Sequence, residues 1–128
     1  LIVIDAFNSD SIPVHLITVE AMAEYNERLL PGGALLFHVS NRYVNLEPVL
    51  EANCGELGLH CLYKTNLGFK REGAEVSEWM VVTADKAFAA RLVKELGWTD
   101  LEKEPTGYDL RPWTDRYSNL VAAILAKE

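Results

Sequence analysis

Short apolar runs that end abruptly in polar residues constrain this chain more than any other feature. Leu1–Ile4 is four apolar residues running straight into Asp5, and Ala34–Val39, broken only by His38, runs into Ser40, Asn41 and Arg42. Runs of this length without polar alternation read as strands covered on both faces. In open α/β sheets, ligands bind just beyond the carboxyl ends of such strands. The chemistry of the chain is therefore expected at Asp5 and in the turn-forming segment after it, which holds Asn8, Ser9, Asp10, Ser11 and Pro13.

Helical patterns alternate with these runs. Thr18 to Leu30 carries an apolar stripe through Val19, Met22, Tyr25 and Leu29, with Thr18 as N-cap, Glu20 at the positive end and Pro31-Gly32-Gly33 as the stop. Leu46 to Leu57 places Leu46, Val49, Leu50, Asn53 and Leu57 on one side and meets Gly58. Leu59–Tyr63 and Ser77–Thr83 read as a third and a fourth strand, and Lys64 to Glu75, with Gly68 and Gly73, reads as the connection between them. Asp85 is placed to cap a helix through Leu96 that Gly97 ends. Trp98 to Arg111 reads as irregular, and Tyr117 to Leu125 as a last helix capped by Thr114 or Asp115, with a strand as the alternative. Strands separated by helices are joined by right-handed crossovers and lie parallel, whereas the third and fourth have no helix between them and can pair antiparallel. The expected fold is α/β: a partial doubly wound, Rossmann-like, mostly parallel sheet of about four strands with one late antiparallel strand and helices on both faces.

Composition narrows the function. The 128 residues are 49% hydrophobic and 24% charged, as in an ordinary globular domain, and the net charge of −7 repels a nucleic-acid backbone while favouring a cationic small substrate. No run reaches the roughly 18 apolar residues of a membrane span. Only Cys54 and Cys61 are available for disulfides, so a reducing, cytoplasmic location is expected. Cys54, His60 and Cys61 lack the second ligand pair of a zinc site and read as packing residues, with no metal.

The alternation of elements, the acidic strand end and the late antiparallel strand resemble the second half of a class I S-adenosylmethionine-dependent methyltransferase-like domain. Within it, DAFNSDSIPVHLIT, PGGALLFHVSNRY and PWTDRYSN resemble the spermidine-synthase-like branch, that is, the polyamine aminopropyltransferases and their membrane-fused relatives. The likeness runs over nearly the whole chain and is weakest from Lys64 to Gly73 and from Trp98 to Arg111. It implies that residues 1–128 are the C-terminal half of such a domain, with the cofactor-binding half upstream. It also implies a transferase using S-adenosylmethionine or its decarboxylated form, and a cytoplasmic placement that includes the cytoplasmic domain of a membrane protein. None of the eight glycines falls in a GxGxxG spacing after a strand, so this half alone is expected to bind the cofactor poorly and to be inactive.

The resemblance also implies roles for individual residues. Asp5 matches the strand-end carboxylate that engages the attacking amine, by charge pairing and as proton acceptor. Asp10 would be a second anchor for a cationic amine. The family pattern DxxDP has two residues between its acids and a proline after the second; here four intervene and Ser11 follows Asp10. That spacing favours an alternative, a non-catalytic interaction or regulatory module built on the fold; a small-molecule methyltransferase is another. His15 near the first helix, Asn41 after the second strand, and Tyr117, able to close over the site from the C-terminus, are further candidate substrate contacts. Each has a local reading: packing or local capping for His15, capping of the next helix by Asn41 or Asn45, and anchoring of the last helix for the segment holding Tyr117. His38, between Phe37 and Val39, reads as a half-buried sheet histidine bonded to backbone. The edge of the first strand is expected to pair with a second copy, giving a homo-oligomer, or to be masked by a C-terminal helix.

Overall fold

The computed structural model describes residues 1–7, 11–66 and 76–127. Its strands are β1 (Ile2–Ile4), β2 (Leu35–His38), β3 (His60–Asn66), β4 (Ser77–Thr83) and β5 (Thr99–Asp100). Its helices are α1 (Val19–Glu27), α2 (Glu47–Leu57), α3 (Lys86–Leu96) and α4 (Leu120–Leu125), with a single 3-10 turn at Val14–Leu16. Local chemistry sets most of these bounds. The Thr18 side chain accepts from the Ala21 N–H at the start of α1, and Asp85 accepts from the Phe88 N–H at the start of α3. Gly58 and Gly97 end α2 and α3 with φ of 67° and 68°, a left-handed conformation that other residues adopt only at a cost.

The sheet order is β1-β2-β4-β3-β5. Only β1 and β2 are parallel; β2–β4, β3–β4 and β3–β5 are antiparallel. The expected mostly parallel sheet is thus corrected to a mixed, mostly antiparallel one. With no helix after β3, the chain turns back directly, and β4 inserts between β2 and β3, making both of its ladders antiparallel. β1, β2 and β3 still share one direction, because β2 and β3 each oppose β4. β5 was not visible in the sequence; its two residues are held by pairing with Leu62 and Tyr63. The connection read at Lys64 to Glu75, with Gly68 and Gly73, falls mainly outside the described residues.

Helices cover both faces, as expected for α/β packing. Ile4, Leu35, Phe37, Cys61, Met80 and Val82 point to one face, where they form the main core with Met22 of α1, Val49, Leu50 and Cys54 of α2, and Trp113. The alternate residues Leu36, Leu62 and Val81 pack on the other face with Ala89 and Leu92 of α3 and with Trp98. α3 does not reach β1: Val3, on this second face, is 52% exposed. The outer edge of β1 has no ladder partner among the described residues.

The segment before α4 is part of the core. Trp113 is 1% exposed; its N–H donates to Asn53 Oδ1 at 2.8 Å and its carbonyl accepts from the Val19 N–H at 2.8 Å. Thr114 and Asp115 do not cap the last helix, contrary to expectation. Asn119 does so by accepting from the Ala122 N–H, and α4 therefore starts at Leu120 rather than Tyr117. Asp115 instead accepts the Thr18 hydroxyl at 2.7 Å, and its N–H donates to Glu20, so the C-terminal segment lies across the start of α1.

Candidate functional site

The parallel register of β1 and β2 pairs Ile4 with Phe37, which makes Asp5 and His38 the next two residues across the same edge. Both project from the α3 side of the sheet, by the alternation that puts Val3 and Leu36 there. The carboxylate Oδ1 lies 2.9 Å from His38 Nδ1. The His38 ring stacks on Trp79, its partner on β4, with centroids 4.4 Å apart and planes inclined by 22°. The two ends of this row differ in exposure: the Asp5 side chain is 51% exposed and that of His38 18%. His38 Nε2 is buried and has no hydrogen-bond partner among the described residues. His38 is thus bonded to a carboxylate and not to backbone, which the sequence reading missed. The signal lay in the two runs themselves: set side by side in parallel, Ile2-Val3-Ile4-Asp5 matches Leu35-Leu36-Phe37-His38 residue for residue.

Beside this pair opens a cleft of about 530 Å³ lined by His38, Ser40, Asn41, Arg42, Val76, Ser77, Glu78 and Lys127. Asn41 holds its rim together. Its Nδ2 donates to the Phe7 carbonyl, and its Oδ1 accepts from the Tyr43 and Val44 N–H groups at 2.9 and 3.0 Å. The segment after β1 is thereby tied to the segment after β2. Of the two candidate caps for the next helix, Asn41 and Asn45, it is Asn45 whose Oδ1 accepts from the Glu47 N–H at the start of α2. In the cleft lining, Glu78 accepts from Tyr63 Oη at 3.1 Å and pairs with Lys127 at 3.6 Å.

Glu47 stands at this acidic corner. Burial, then the Glu78 and Glu51 carboxylates, push its carboxyl up to about 7, against the opposing pull of Lys127. The unfolded chain ionises Glu47 near the ordinary 4.5, so the native state holds the extra proton between about 4.5 and 7. Stability therefore falls as pH rises through that window. Glu47→Gln removes the penalty. Denaturant titration is expected to show the variant more stable by about 1–2 kcal/mol near pH 8, after allowance for partial solvent exposure, and nearly equal to wild type near pH 4.5. Equal stabilities at both pH values would contradict this.

His15 and Tyr117 are brought together elsewhere. They line a second cavity of about 500 Å³ between α1 and the C-terminal segment, with Thr18, Glu20, Glu24 and Asp115. This cavity shares no lining residue with the first. The Tyr117 ring carries the Arg111 guanidinium 4.2 Å from its centroid. Asp10 lies outside the described residues. Cys54 and Cys61 are both buried, and the hydrogen bond between them, then desolvation, holds the Cys61 thiol well above its usual range. His60 turns away to Glu102, at 3.2 Å. No cluster of three metal-ligating side chains occurs among the described residues.

The chain matches no family model, no curated protein and no solved structure. Among the described residues the positive-φ glycines Gly32, Gly58, Gly97 and Gly107 lie before β2, after α2, after α3 and in the C-terminal segment. No described helix is long and apolar enough to cross a membrane.

Proposed function

We propose that this chain is the trailing, Rossmann-like half of a spermidine-synthase-like transferase domain and supplies its amine site. The half-exposed Asp5 carboxylate at the carboxyl end of β1 carries the reading. A carboxylate there draws in an ammonium by charge and then accepts the proton that the amine must lose before its nitrogen lone pair can attack carbon. Two features add support. The late strand β4 pairs antiparallel to its neighbours, in keeping with the late antiparallel strand of the resemblance, and the net charge of −7 favours a cationic substrate. The donor, S-adenosylmethionine or its decarboxylated form, is assigned to the upstream half that the resemblance implies.

The test is label transfer by the full-length protein from either donor to putrescine. Aminopropyl transfer is expected, and Asp5→Asn is expected to lower kcat/KM about 10²-fold or more. Transfer to other acceptors would move the reading to a small-molecule methyltransferase. Transfer that survives Asp5→Asn unchanged would remove the amine site from Asp5.

A further inference from the structure

We infer that His38 is a positioning residue for the Asp5 carboxylate, fixing one oxygen so that the other faces the amine. The inference rests on the amine-site reading above and adds to it the residue that sets the geometry of the acid. Three observations carry it.

The first is the short Nδ1–Oδ1 approach of 2.9 Å between residues that the parallel register places side by side. An isolated carboxylate on a strand end, about half exposed, rotates freely about its Cα–Cβ and Cβ–Cγ bonds; one held at Oδ1 does not. The second is the Trp79 ring, stacked on His38 at 4.4 Å, which fixes the imidazole itself. The hold on Asp5 is therefore transmitted from β4, an interior strand with neighbours on both sides. The third is the orphaned Nε2. A proton on Nε2 would be a buried donor with no acceptor among the described residues. The tautomer protonated at Nδ1 avoids this and directs the ring's single N–H at the carboxylate. Oδ1 of Asp5 is then engaged by the ring, and the half-exposed carboxylate presents Oδ2. Because Nε2 is buried, His38 does not itself take the substrate proton; that proton goes to Asp5.

Asn places its Nδ2 at nearly the position of a histidine Nδ1, whereas Leu keeps bulk without a donor. In the full-length protein with putrescine as acceptor, His38→Leu is expected to lower kcat about 10- to 100-fold while KM changes less than about threefold, because the attracting charge remains and only its aim is lost. His38→Asn is expected to restore kcat to within about threefold. Two-bond ¹H–¹⁵N spectra of the wild-type imidazole near pH 8 are expected to show the proton on Nδ1. Thermal melts of both variants separate lost aim from lost fold, since a purely structural role would lower stability without changing kcat per folded molecule. If Asp5→Asn abolishes transfer while His38→Leu leaves kcat intact, or if the imidazole proton sits on Nε2, the positioning role is overturned and the amine site stands. If neither variant changes transfer, or the wild-type protein transfers nothing, both fail.

Discussion

Trp113→Ala is expected to destabilise the protein by about 3–5 kcal/mol, measured by denaturant unfolding followed through the remaining tryptophans. Trp113 is among the largest fully buried side chains and belongs to the main core together with residues of α1, α2 and the sheet. Truncation leaves a cavity that the flanking segment cannot collapse into, because the Trp113 backbone is pinned on both sides, to Asn53 and to Val19. A loss below about 1 kcal/mol would show that the C-terminal segment is not docked as described. Trp98, at the smaller core under α3, is only partly buried, and its truncation is expected to cost less.

Asn53→Ala is expected to cost about 2–4 kcal/mol in the same assay. Asn53 is fully buried in α2; its Oδ1 accepts from the Trp113 N–H, its Nδ2 donates to the Ile17 carbonyl at 2.5 Å, and Met22 Sδ lies 3.6 Å away. Removing the amide strands a buried backbone donor and a buried backbone acceptor, each worth roughly 1–3 kcal/mol when left unpaired. Asn53→Asp keeps the acceptor but loses the donor and buries a carboxylate, so it is expected to be no milder. Trp113→Ala and Asn53→Ala share a contact, and the double variant is expected to lose less than the sum of the two by about 1 kcal/mol or more. Strict additivity would mean that the amide and the indole segment act independently.

How far the sequence carried depended on whether each feature was set locally. The first four strands and first three helices were legible because their signals lie within them: unbroken apolar runs, Thr18 and Asp85 as caps, Pro31-Gly32-Gly33, Gly58 and Gly97 as stops. β5 was not legible, since Thr99 and Asp100 are a strand only because β3 is beside them. The sheet's mainly antiparallel pairing was missed because insertion of β4 between β2 and β3 is decided by the whole sheet. Thr114 and Asp115 looked like caps, and the same oxygens are spent elsewhere: Asp115 binds Thr18, ninety-seven residues away. In the site, Asp5 stood out as a lone acid ending an apolar run. His38 did not, because which way it faces is fixed by the parallel register with β1 and by the Trp79 ring, neither of which a window around Phe37 and Val39 contains.

The lock between the first turn of α1 and the Trp113 segment also governs when this molecule can finish folding. Its closing contacts join residues near position 18 to residues near position 115, so the chain must be synthesised past about residue 115 before this part of the main core closes. Until then the nascent sheet carries an unfilled apolar socket. Such distant closures slow the search, as loops of this length are entropically costly before they are rewarded. Until the Trp113 segment docks, the apolar surface it covers is open to aggregation.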